Sequence, residues 1–222
     1  MKTIIKTLSI LACGAALVAP RAARADDPPG IYSYAWHDSR LSSGIGVSTV
    51  LGGGVTGFTD KAMRDTLTSN VSGQWNLRAT IGSHTPLALD LGYLGTAAQI
   101  NSLIGAQTGT LVGTTFEGAL RYNILPHADL NPYAFAGIGW QRYDTSGGNF
   151  NLSDTGMNAS DNSVVFPMGA GLVYRDKSGI LLDVHGTFRA NANAGLVLES
   201  PGGSSYVPMH TWEASGAFGY EF

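Results

Sequence analysis

The chain has 222 residues, with 13 Lys+Arg against 16 Asp+Glu, 30 glycines, one cysteine and only 13% charged residues. A formal charge of −3 offers no cationic excess to displace phosphate counterions, which argues against nucleic-acid binding. Cys13 is the sole cysteine, so intrachain disulfides and cysteine-clustered metal sites are excluded.

Residues 1–25 read as a secretory signal peptide. Lys2 and Lys6 make a basic start, 8–18 form an apolar run, Pro20 breaks it, and Ala23-Arg24-Ala25 offers a cleavage site before Asp26. About a dozen apolar residues are too few for a spanning helix, which needs roughly 20. Arg21 and Arg24 are unusual so close to the cut and blur its position by a few residues. Lipidation at Cys13 is the rival reading, but Leu11 is bulky for that signal and the cut would leave half the apolar run behind. Loss of the leader removes four basic residues and no acids, leaving nine against sixteen, a formal charge of −7. Residues 26–43, with Asp27-Pro28-Pro29-Gly30, read as a periplasmic lead-in, and 44–222 as one domain. No later stretch holds ~18 consecutive apolar residues, which excludes a helical membrane protein.

Alternation of period two then recurs along the chain. The stretch 44–58 is Gly-rich with poorly separated faces. In 71–84, Val71, Trp75, Leu77, Ala79 and Ile81 oppose Ser72, Gln74, Asn76, Arg78 and Thr80. In 87–93, Leu87, Leu89, Leu91 and Tyr93 oppose Asp90. In 112–124, Val112, Phe116, Leu120, Tyr122 and Ile124 oppose Thr115, Glu117, Arg121 and Asn123. The run 133–143 is strand-like, but its apolar face is not separable. Val164, Phe166, Met168, Ala170, Leu172 and Tyr174 share a face of 164–174. In 180–190, Ile180, Leu182, Val184 and Phe188 oppose Asp183, His185, Thr187 and Arg189. Finally Trp212, Ala214, Phe218, Tyr220 and Phe222 oppose Thr211, Glu213, Ser215 and Glu221.

This makes eight strands, an even number as in single-chain bacterial barrels, and the predicted fold is an all-β, antiparallel, up-and-down transmembrane barrel. Connections 59–70, 95–110, 144–163 and 191–208 are long and rich in Gly, Ser, Asn and Asp; those at 83–86, 126–132 and 176–179 are short. Long outer loops alternating with short inner turns are expected of such a barrel.

The chain ends Ser215-Gly216-Ala217-Phe218-Gly219-Tyr220-Glu221-Phe222. On that ending and the alternating runs, it resembles the small eight-stranded outer-membrane barrels of the OmpA/OmpX/OmpW-like superfamily. Phe218, Tyr220 and Phe222 resemble the C-terminal signal read by the barrel-assembly machinery, although Ala217 stands where the family usually has glycine. The resemblance covers essentially the whole mature chain, 26–222. It implies a bacterial outer-membrane location, lipid and lipopolysaccharide around the barrel, help from periplasmic chaperones, and a monomer. It says little about activity, because this fold hosts many functions.

An eight-stranded barrel is just wide enough for its own side chains to fill. A lumen charge network is predicted from Arg78, Asp90, Glu117, Arg121, Asp183, His185, Arg189 and Glu213. Within it, Asp90 is expected to meet Arg121 near the periplasm, and Arg189 to meet Glu213 near the outside. The reading preferred is a polar plug in a non-enzymatic structural or surface protein, with no cofactor and no metal. One alternative is a narrow passage for small solutes. Another is a lipid A-modifying enzyme at the outer rim using His210 beside Thr211, with Ser204 and Ser205 nearby. His84, flanked by Ser83 and Thr85, falls at the wrong end for that chemistry. Asp144, Asp154, Asn158 and Asp161 are oxygen ligands that suit Ca²⁺, but without EF-hand spacing, and exposed acidic loops are usually only solvated.

Overall fold

Period two turns each run into a strand with one wet and one apolar face. In the second strand Gln74, Asn76, Arg78 and Thr80 are buried, while Trp75, Leu77 and Ile81 are exposed. The computed structural model describes residues 45–67, 71–101, 108–147, 156–198 and 204–222; the predicted signal peptide and the lead-in lie outside these. Among the described residues there are eight strands: β1 (Val47–Phe58), β2 (Ser72–Ile81), β3 (Leu87–Asn101), β4 (Thr108–Asn123), β5 (Leu130–Ser146), β6 (Ser160–Arg175), β7 (Ile180–Ala192) and β8 (Thr211–Glu221). One short helix, α1 (Lys61–Thr66), follows β1. Asp60 starts it, its carboxylate accepting from the Ala62 N–H at 2.9 Å.

Each strand pairs antiparallel with its chain neighbours, and β1 pairs with β8 from Ser48↔Glu221 to Phe58↔Thr211, so the sheet closes into a barrel. Paired positions followed round from Ser48 pass through Thr80, Asp90 and Ala119, then Arg189 and Thr211, and return to β1 at Phe58. At roughly 3.3 Å rise and 4.8 Å strand spacing, that stagger tilts the strands by about 40°.

Burial is inverted relative to a water-soluble protein. Leu51, Leu120 and Val184 are about 60% exposed, while Asp183 and Glu213 are 2% and 4% exposed. Soluble monomers rarely carry apolar patches beyond a few hundred Å². Here the apolar surface runs round all eight strands. Trp75, Tyr93, Phe116 and Trp140 form a row across β2–β5, with ring centroids 5.0, 4.5 and 6.2 Å apart. Tyr122, Tyr174 and Tyr220 lie outward at the opposite end, beside the short turns.

Those turns are tight. The β6–β7 turn closes with Gly179 N–H donating to Asp176 O at 2.9 Å, and Gly179 has φ +87, where any Cβ is strained. The four long connections lie at the other end, and here the structure departs from expectation. Strands β3 to β6 run to 15, 16, 17 and 16 residues, so 95–101 and 108–110 of the predicted loop 95–110, and 144–146 and 160–163 of the predicted loop 144–163, are strand. Their outer ends carry Thr, Gln and Asn, which read as loop composition, yet the backbone ladder continues to Asn101↔Thr108 and Thr110↔Ser146 and so satisfies its polar groups.

The predicted loop 59–70 contains α1, and Met63 and Leu67 turn inward from it. With Phe58, Ile100, Leu111, Tyr143, Met157, Leu196, Val197, Val207 and Met209 they form a buried apolar cluster over the outer mouth. Bridges Leu67↔Ile100 and Met157↔Val197 tie this cap to itself and to the wall.

Candidate functional site

The inward positions of the strands build a polar column beneath the cap. Nearer the short turns, Asp183 on β7 accepts from Arg78 at 2.6 Å and from the Tyr133 hydroxyl at 2.7 Å. Arg121 lies over the Tyr133 ring, 3.5 Å from its centroid, and its Nε donates to Asn123 at 2.8 Å. Asp90 accepts from the Thr80 hydroxyl at 2.6 Å. Its other oxygen is 3.9 Å from Arg121, so the expected pair is an ion pair beyond hydrogen-bond reach.

Nearer the outer end, Arg189 sits between two acids. Its Nε donates to Glu117 at 2.9 Å and its Nη1 donates to Glu213. Gln74 donates to the other Glu213 oxygen at 2.8 Å. His185 joins the two levels: Nδ1 is 2.7 Å from Asp183, and Nε2 is 2.8 Å from the Ser215 hydroxyl and 3.4 Å from Glu213. All eight predicted network residues thus face one lumen, their charges opposed by neighbours as buried charges require. Gly171 makes room for this, since a Cβ there would come within 2.6 Å of the Tyr133 ring and hydroxyl.

Six further residues, outside the predicted network, join it or pair at its short-turn end. Tyr133 was hidden because β5 carries large apolar side chains on both faces: Tyr133 and Phe135 point in, Ile138 and Trp140 point out. Ser215 pairs directly with His185 in register, which only the β7–β8 alignment discloses. At the short-turn end Arg175 binds Glu221 at 2.5 Å, and the Ser83 hydroxyl and His84 Nε2 also meet Glu221. Arg175 continues the inward parity of Val173 one step past the predicted strand, the signal that was available. Phe218, Tyr220 and Phe222 point outward on and beyond β8, 59%, 46% and 61% exposed.

Ser215, His185 and Asp183 have the separations of a hydroxyl–imidazole–carboxylate relay. The adjoining cavity holds about 20 Å³, room for a water or two and not for an acyl group. As built, the relay is a hydrogen-bond chain rather than a nucleophile awaiting substrate. His210 is committed differently: its Nδ1 accepts the Asn191 backbone N–H at 2.9 Å, and its ring lies 6.1 Å from Phe188. Ser204 and Ser205 are exposed. Of the suggested calcium ligands, Asp144 is held by Arg142 at 2.8 Å and Asp161 accepts the Gly195 N–H at 2.8 Å. Asn158 donates to Gly195 O at 2.6 Å, and Asp154 lies outside the described residues. No group of three metal-ligating side chains occurs among the described residues.

A closed eight-stranded antiparallel barrel with a charged core and an apolar exterior is the architecture of the small outer-membrane barrels. No protein-family model matches the chain, and no curated protein does. Solved structures do match. The chain is similar to Neisserial surface protein A, with TM-score 0.57 and 11% identity, over 79% of this chain and 97% of that one. It is also similar to Ail, the attachment invasion locus protein of Yersinia pestis, with TM-score 0.51 and 13% identity, over 80% of this chain and 99% of that one. At these identities the likeness concerns the fold alone. The outer membrane enzyme PagL overlays at TM-score 0.39 and 16% identity, over 78% of this chain and 98% of that one, too loosely to bear on chemistry.

Proposed function

We propose that the chain is an exported, monomeric, integral outer-membrane barrel of a Gram-negative bacterium, with a structural or surface role and no enzymatic one. The observation that carries this is the inverted burial: charges line the inside of a closed barrel and apolar side chains cover the outside. In hydrocarbon every backbone group must be paired within the protein, and a closed barrel does so without an edge strand. Lipid and lipopolysaccharide are the surroundings the belt fits. Phe218, Tyr220 and Phe222, outward on the closing strand, fit recognition by the barrel-assembly machinery, with periplasmic chaperones carrying the unfolded chain.

A narrow passage for small solutes is the weaker reading. The outer mouth is covered by the apolar cap, and two cavities lined by inward residues are each about 20 Å³. Rim chemistry on lipid A has less behind it, since His210 is held by the Asn191 backbone. The membrane reading is tested by refolding the protein in detergent and comparing heated and unheated gel mobility. A folded barrel migrates differently before heating and stays with detergent; a protein that partitions into water without detergent overturns the proposal.

A further inference from the structure

Four buried polar groups near the middle of the lumen are left incomplete by the protein. Asn76 Oδ1, Arg78 Nε and Thr187 Oγ1 have no hydrogen-bond partner within it, and Asp90 Oδ2 has only Arg121 at 3.9 Å. These four side chains come from β2, β3 and β7, and all four line a single cavity of about 20 Å³. Small residues, Gly92 and Ala119, form part of its wall. Buried polar groups are almost always satisfied, so a shared unsatisfied set round one cavity specifies the ligand that fits it.

We propose that this cavity is a binding site for structural water, one or two molecules held between the two charge layers. Size admits little else, since a water needs roughly 10–15 Å³ of such volume. The chemistry agrees with the size. Asn76 Oδ1 and Asp90 Oδ2 accept, Arg78 Nε–H donates, and the Thr187 hydroxyl does either. A water molecule donates twice and accepts twice, matching that set. A cation would meet the Arg78 N–H, and an anion would meet the Asp90 carboxylate, so neither is matched. The bound water would link Arg78 and Asp90 below to Thr187 and Asn76 above, where Asn76 donates to Ser215 at 3.3 Å. The lumen then holds water as part of its packing rather than as a through-path.

The inference rests on the barrel interior, not on the membrane reading; a barrel outside a membrane would hold the same water. Water-to-protein cross-relaxation NMR on the full folded barrel in detergent micelles tests it. Long-lived water should give cross-peaks of the slow-tumbling sign at the inward Gly92 Hα and the Ala119 methyl. Ala119→Leu fills the cavity and should abolish the Gly92 signal, read on protein whose gel mobility shows it folded. Thr187→Val, nearly isosteric, removes one hydrogen bond and should weaken the Gly92 signal at least severalfold. Absence of the cross-peaks in the unsubstituted protein, or their persistence undiminished in both variants, overturns the site.

Discussion

Arg189 is the residue on which the upper half of the lumen turns. Its guanidinium is shared by Glu117 and Glu213, and Glu213 also faces His185. Removal of one partner from a buried ion pair typically costs 3–5 kcal/mol, because the other charge stays behind. Arg189→Met should therefore lower the unfolding free energy of the refolded barrel in vesicles by about 3 kcal/mol or more. Adding Glu117→Gln and Glu213→Gln should recover part of that loss in urea titrations; equal stability of Arg189→Met and the parent would refute the pairing. At the β6–β7 turn, Asp176 accepts from the Ser178 hydroxyl at 2.5 Å and from its N–H at 3.1 Å. The Ser178 hydroxyl, then its N–H, holds the Asp176 carboxyl below the usual carboxylate range. With the folded pKa depressed, this stabilisation is present above the ordinary carboxylate pKa and disappears as pH falls through the lower folded value. Ser178→Ala should move the Asp176 titration upward, as followed by carboxyl NMR. Residues such as Asp183 and His185 were legible because β7 alternates without interruption. Tyr133 was not, since β5 changes its apolar parity between Phe135 and Ile138.

The elements differ in how far their sequences announce them. An apolar exterior imposes alternation on strand middles, so those were readable; toward the outer ends the apolar residues, Ile100, Leu111 and Tyr143, are the inward ones and polar residues face out, so the parity reverses. The outer half of β3 and the last few outer residues of β4, β5 and β6 therefore passed for loop. Helix α1 had a signal, an Asp60 cap followed by Met63 and Leu67 at i, i+4 spacing, but it is short and lies in a polar stretch. Its role is to seat Met63, fully buried, in the cap. Cap and barrel wall are separable in stability, because local openings need not unfold the whole. Met63→Asp should raise amide exchange at 196–198 about tenfold or more, while mid-strand amides of β7 and β8 keep their protection. Uniform loss of protection across strands would mean that the cap and barrel unfold as one unit.

At the scale of the molecule, strand number, polarity and the alternation of long and short connections were all present in the sequence, because closing a sheet with an apolar exterior leaves few alternatives. The stagger of the barrel and the closed outer mouth were not, since both depend on which residues face one another across strands and loops. A lumen filled by paired charges beneath an apolar cap should not conduct. In planar bilayers the refolded protein is expected to give no current steps above background, and reproducible steps would restore the passage reading. The central claim is that the belt bearing Trp75, Trp140 and Trp212 faces lipid. It is tested most directly by fluorescence of the refolded protein, in a Trp36→Phe background, in vesicles containing brominated phospholipid. Strong quenching by the bromolipid with little effect of aqueous acrylamide is the predicted result. Fluorescence untouched by bromolipid and readily quenched by acrylamide would contradict it.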